Sequence, residues 1–101
     1  MMDKSTPSYT LEGVHTLIRQ GKVLITLTAV RTAVDLGYDT DGMLEVMLEL
    51  TMDDFSKSTT SFNNHKEWQD VYKPFADGLD LYIKFKVVDD VVVLSFKERQ
   101  P

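Results

Sequence analysis

The sequence predicts an α+β fold, with helices in the first half and antiparallel strands that end in a C-terminal hairpin. Three observations predict it. Apolar residues recur at helical spacing through the first half, residues that cap and stop helices punctuate those stretches, and beyond Asp54 the chain turns to period-two alternation.

The elements follow in order. Thr10 caps a first helix in which Leu11, Val14, Leu17 and Ile18 share one face, and Gly21 ends it. Val23 to Leu27 is a short apolar run. Thr28 caps a second helix through Ala29, Val30, Ala33, Val34 and Leu36, stopped by Gly37. Asp41-Gly42 opens a third, with Met43, Val46, Met47 and Leu50 on one stripe. Thr51 with Asp54 makes a weak capping box for a final turn.

Phe55 to Phe62 is rich in Ser and Thr and reads as a polar strand, followed by a loop at Asn63 to Glu67. Trp68 to Phe75 is a short extended segment closed by Pro74 and a turn at Asp77-Gly78. Leu79, Leu81, Ile83, Phe85 and Val87 alternate with Asp80, Tyr82, Lys84 and Lys86, which is a strand with one apolar face and one polar face. Val91 to Glu98 is its partner, joined through Asp89-Asp90. A two-residue or a four-residue loop there pairs Phe85 with Leu94, Ile83 with Phe96, Lys84 with Ser95 and Tyr82 with Lys97. A three-residue loop would turn Leu94 and Phe96 to the wrong face, so the pattern argues against it.

Composition narrows the function classes. The 101 residues suit one domain, spanning 1–101. The absence of Cys excludes a disulfide scaffold, a thiolate zinc site and a Cys nucleophile. No apolar run approaches the roughly 18 residues of a membrane helix. The start, MMDKSTPSYT, lacks the apolar stretch of a secretory signal, so the expected location is cytoplasmic. The net charge of −5 opposes indiscriminate nucleic-acid binding. That charge is uneven: residues 1–54 hold 9 acids and 4 bases, whereas residues 55–101 hold 7 of each. A positive face must therefore come from the second half.

Several motifs fail. With Gly42 as the sixth position of a calcium loop, Gly37 and Leu48 fall at the first and twelfth, and neither supplies a carboxylate. His15 falls on the surface of the first helix, far in sequence from His65, with no ligand pattern around either. No phosphate-binding loop, dinucleotide fingerprint or nucleophile elbow occurs. What remains is a sheet face carrying Tyr82, Lys84, Lys86 and Lys97, joined by Lys57, Gln69 and Lys73 from neighbouring segments. Clustered lysines raise the local potential, and a tyrosine offers a ring for stacking and a hydroxyl for proton transfer. On residue chemistry alone this face is either a phosphate or RNA site or an ordinary polar sheet surface.

Longer strings carry a specific resemblance. They are Thr6-Pro7, Gly21-Lys22-Val23 with Thr26, Leu36-Gly37-Tyr38-Asp39, Asp41-Gly42-Met43, Asp54-Phe55 with Lys57-Ser58, Trp68 to Pro74, and Ser95-Phe96-Lys97-Glu98. Through them the chain resembles the motility quorum-sensing regulator (MqsR) toxin family of RelE-like ribonucleases. The resemblance implies helices packed on a twisted antiparallel sheet. It implies the toxin of a type II toxin–antitoxin system, cutting messenger RNA at GC-containing triplets without ribosome or metal and with no cofactor. It places the catalytic positions on Lys57, Gln69, Tyr82 and Lys97, with Lys73, Lys84, Lys86 and His65 expected to touch substrate. The implied partner is an antitoxin with a zinc-binding N-terminal part and a helix-turn-helix part. DNA would be met only through that complex, and no membrane is involved. The rival expectation is a degenerate module that binds an antitoxin or another protein without cutting RNA.

Overall fold

The computed structural model describes residues 1–100; Pro101, the last residue of the expected unit, lies outside them. The elements are β1 (Asp3–Lys4), α1 (Leu11–Arg19), β2 (Val23–Ile25), α2 (Leu27–Asp35), α3 (Thr40–Leu48), a single 3-10 turn (Met52–Asp54), β3 (Phe55–Thr60), β4 (Trp68–Tyr72), β5 (Phe75–Ala76), β6 (Leu79–Val88) and β7 (Asp90–Glu98). The α+β class and the C-terminal hairpin are as the sequence predicts. The strands form one sheet in the order β1-β3-β4-β6-β7-β2, with β5 paired to β6. It is antiparallel except at one edge, where β2 runs parallel to β7.

That edge explains a difference in the second helix. The apolar run Val23–Ile25 is a strand on β7, so the chain reaches its helix cap earlier than local patterning indicates. Thr26, not Thr28, is the cap: its side chain accepts the Ala29 N–H at 3.2 Å. In the third helix Asp39 caps ahead of Asp41, accepting the Gly42 N–H at 2.7 Å, and the glycine falls inside the first turn. The first helix keeps its Thr10 cap, bonded to Gly13 N–H. His15 is half-buried rather than on the surface, and its Nε2 donates to the Met47 carbonyl at 2.8 Å, tying α1 to α3.

The hairpin differs from its predicted register in one half. Tyr82 pairs with Lys97, Ile83 with Phe96 and Lys84 with Ser95, as expected. Phe85, however, pairs with Val93, and Leu94 is left as a bulge. The turn closes over Asp89 alone, between the paired Val88 and Asp90, with Asp89 at φ 63°. An odd turn does throw the register out by one residue, as the pattern argument requires. The bulge restores it before Phe96. The bulge carbonyl is not left bare: the Thr26 hydroxyl donates to Leu94 O at 3.4 Å, and the Thr26 N–H donates to Val93 O at 3.1 Å.

All three helices pack on one side of the sheet. Val14, Ile18, Ala29, Ala33, Met43 and Met47 meet Tyr72, Leu81, Ile83, Phe85, Val93 and Phe96 in a single core. Tyr72 stacks on Phe85 at 5.6 Å between centroids, and Tyr38 meets Phe96 edge-on at 5.1 Å. The Asp77-Gly78 turn has positive φ at both residues, 54° and 79°, the geometry that a two-residue hairpin favours. Tyr38 donates its hydroxyl to Asp77 there, at 2.7 Å. Burial, then that carboxylate, pushes the Tyr38 hydroxyl up to about 12.

The N-terminal segment is held by one buried carboxylate. Asp70, in β4, is fully buried. It accepts the Ser8 N–H at 3.0 and 3.1 Å and the Tyr9 N–H at 3.1 Å. Tyr9 also donates its hydroxyl to Trp68 O at 2.7 Å. This clamp sets the start of α1 on the helical side of β3 and β4.

Removing the carboxylate would strand two backbone donors away from water. Asp70→Ala is therefore expected to cost about 2–3 kcal/mol in urea unfolding. A loss below about 0.5 kcal/mol, the scatter of ordinary surface changes, would show that the clamp contributes nothing.

Candidate active site

With the helices on one side, the opposite face of β3, β4, β6 and β7 stays uncovered. Paired residues project to the same face. One cross-strand row is Lys57, Val71, Lys84 and Ser95, and the next places Tyr82 opposite Lys97. On the other side of the Lys57 row, β3 and β4 pair Thr59 with Gln69, and Lys86 lies on that same face two residues beyond Lys84. All four positions expected to be catalytic, Lys57, Gln69, Tyr82 and Lys97, thus share one face with Lys84 and Lys86. The reason is the pleat: each stands an even number of residues from a neighbour in its own strand or directly opposite one in the next.

Tyr82 and Lys97 are in contact. The Lys97 ammonium lies 5.2 Å from the centroid of the Tyr82 ring, over its face, as a cation attracted by the ring's quadrupole. Lys84 stands between this pair and Lys57. Its ammonium is disfavoured, and its pKa falls below the ordinary lysine value of 10.5, first because it is partly desolvated and then because Lys97 and Lys57 repel it. Val71, beside it in the row, is fully buried although it lies on the uncovered face. The aliphatic stems of flanking lysines suit that cover.

The remaining residues are arranged differently. Lys57 pairs with the Asp3 carboxylate at 3.4 Å, both side chains about half exposed, so the pair opens easily to a phosphate. Lys86 forms a closer pair with Glu67 at 2.8 Å, and Gln69 donates to the same carboxylate at 2.8 Å. These two bonds, Lys86 first and then Gln69, lower the Glu67 carboxyl below its ordinary value. Gln69 sits two rows away from Tyr82, about 13 Å along the strands. One phosphate cannot touch both. His65 is exposed in the β3–β4 loop and makes no hydrogen bond with the others. Lys73 is exposed just past β4, its backbone N–H bonded to Asp54 O at 2.7 Å.

A cleft of about 270 Å³ opens where Tyr82 and Lys97 meet Lys73, Arg99 and Gln100. Arg99 was not among the expected site residues. The available signal was its place two residues beyond Lys97. Asp3 and Glu67, the carboxylate partners of Lys57 and Lys86, carried no signal, because strand pairing and loop geometry bring them there. A second cavity, of about 610 Å³, lies on the helical side among Tyr9, Gly13, Leu17 and Val87, and Glu12 is its only charged lining residue. It is unsuited to an anion. Among the described residues no three His, Asp or Glu side chains converge in a group able to hold a metal, and no helix is long and apolar enough to cross a membrane.

Comparison with known proteins bears on this face. A family described as "Motility quorum-sensing regulator, toxin of MqsA" matches residues 6–98. The "mRNA interferase toxin MqsR" of Escherichia coli (strain K12) is 42% identical over 98 residues, covering 97% of this chain and 100% of that protein.

The cause of the Lys84 shift has a measurable sign. In the folded state Lys84 releases its proton at lower pH than in the unfolded chain. Between the two values the unfolded state binds more protons, so stability attributable to Lys84 rises with pH there. Lys84→Met should therefore unfold later than the wild type at neutral pH, with the gap narrowing as pH approaches 10.5, the ordinary lysine value. A gap independent of pH in urea titrations would remove the charge-crowding account.

Proposed function

The chain belongs to the motility quorum-sensing regulator toxin family, and we propose that it cleaves messenger RNA on its uncovered sheet face. The observation that supports this reading is the Tyr82–Lys97 contact, set beside Lys84, whose ammonium is disfavoured first by desolvation and then by Lys97 and Lys57. RNA carries its own nucleophile. The protein need only take the proton of the 2′-hydroxyl, stabilise the charge that builds on phosphorus, and protonate the departing 5′-oxygen.

Lys84, whose ammonium is disfavoured by desolvation and by Lys97 and Lys57, accepts the 2′-hydroxyl hydrogen. The 2′-oxygen then bonds to phosphorus as the bond from phosphorus to the 5′-oxygen breaks. Lys97 and Lys57 neutralise the extra negative charge on the phosphorane, Lys57 exchanging Asp3 for the substrate. The Tyr82 hydroxyl gives its proton to the 5′-oxygen. The products are a 2′,3′-cyclic phosphate and a 5′-hydroxyl, and no metal takes part. Gln69, too distant for the same phosphate, holds a neighbouring nucleotide by hydrogen bonding, with Lys73, Lys86 and His65 along the strand's path. The preference for GC-containing triplets and independence from the ribosome belong to this reading.

A toxin of this family works against an antitoxin. We infer that the antitoxin has a zinc-binding N-terminal part and a helix-turn-helix part through which the complex meets DNA. Action on messenger RNA places the protein in the cytoplasm.

Purified protein incubated with a defined RNA in EDTA should yield fragments ending in a cyclic phosphate. Lys97→Ala should slow cleavage by about 10²–10³. Intact RNA across a range of salt, or a Lys97→Ala protein that is folded and fully active, would overturn the assignment; the first result would favour a module that only binds a partner.

A further inference from the structure

The cleft beside Tyr82 holds more positive charge than one phosphodiester needs. Lys73, Lys97 and Arg99 all line it, whereas a single linkage carries one negative charge. Among the described residues, no carboxylate lies within 4.0 Å of any of these three cations, because the ion pairs formed there engage Lys57 and Lys86 instead. Arg99 is not a loose tail residue. Its backbone N–H donates to Asp80 O at 2.8 Å, which carries the hairpin ladder one residue past β7. Strand alternation then puts Arg99 on the same face as Lys97, about 7 Å further along. That spacing is of the order of the repeat in a stretched ribonucleotide backbone. Arginine also binds phosphate through two parallel N–H donors, which suits positioning.

Resting on the RNA-cleaving reading, we propose that Arg99 and Lys73 form a second phosphate subsite next to Tyr82 and Lys97. The protein then holds two successive phosphates of one extended strand, the first at the reacting linkage and the second in the cleft. This supplies local grip to an acidic chain. It also sets the direction in which the strand runs, since the cleft lies on the far side of Tyr82 from Gln69. Asp80, across the ladder from Arg99, moderates the charge there.

The test uses a labelled 2′-O-methyl RNA of about ten nucleotides, which lacks the attacking hydroxyl and cannot be cut, with affinity followed against salt. Each phosphate contact on a single strand contributes about −0.7 to the slope of log affinity against log salt. Arg99→Ala should bind about tenfold more weakly at low salt and flatten the slope by about 0.7. Arg99→Lys should keep the slope, Asp80→Asn should tighten binding, and Arg31→Ala, on the helical side, should change neither quantity. Arg99 is exposed, and circular dichroism checks that its variants are folded. An Arg99→Ala slope equal to that of the wild type overturns the subsite, even if RNA is cut. The expected slope change in a protein that cuts no RNA upholds the subsite and overturns the enzyme reading. A wild type that does not bind the probe overturns both.

Discussion

Leu94 is the one residue of β7 without a partner, and the two faces of the final hairpin stay in phase because of it. Val91 and Val93 face the core near the turn, and Phe96 faces it near the C-terminus. Residues 93 and 96 cannot both do so on an unbroken pleat. The extra residue between them reconciles the two halves, and Thr26 holds it by bonding the carbonyls of Val93 and Leu94. With Phe96 inward, Lys97 must point outward, opposite Tyr82. The core aromatic and the candidate catalytic pair are thus two consequences of one register.

The helices complete this division of labour. Asp70 draws the N-terminal segment across β3 and β4 on the helical side, and α2 follows from β2 at the other edge of the sheet. Every helix is therefore committed to the same face. The other is left to lysine stems, a tyrosine ring and the carboxylates of Asp3, Glu67 and Asp80. The net charge of −5 misleads about this face, because the whole acidic excess lies in residues 1–54, which build the helices. Field and substrate attraction depend on where charges sit, and here six of the cations converge on one side of the sheet.

That face is an elongated strip rather than a point. Tyr82 and Lys97 form one cross-strand row, and Lys84 and Lys57 lie in the row beside it. Gln69 and Lys86, tied together by Glu67, belong to a neighbouring position along the strand. Such an arrangement suits a polymer, whose nucleotides can be held separately, better than a small anion.

The period-two run from Leu79 to Val87, the cap at Thr10 and the helical spacing of apolar residues are local signals, and strand, helices and fold class were legible from them, whereas the third helix is capped by Asp39 and not entered at Asp41. So was the Tyr82–Lys97 pairing, since the apolar pattern admits few registers. The sequence by itself thus determined which residues alternate, which stretches are helical and which half carries the cations. The bulge at Leu94, the parallel edge strand, the Thr26 cap and the ties of Lys57 to Asp3 and of Lys86 to Glu67 were decided only in three dimensions. Each joins residues far apart in the chain, and no local periodicity records which distant backbone or carboxylate will be there to meet them.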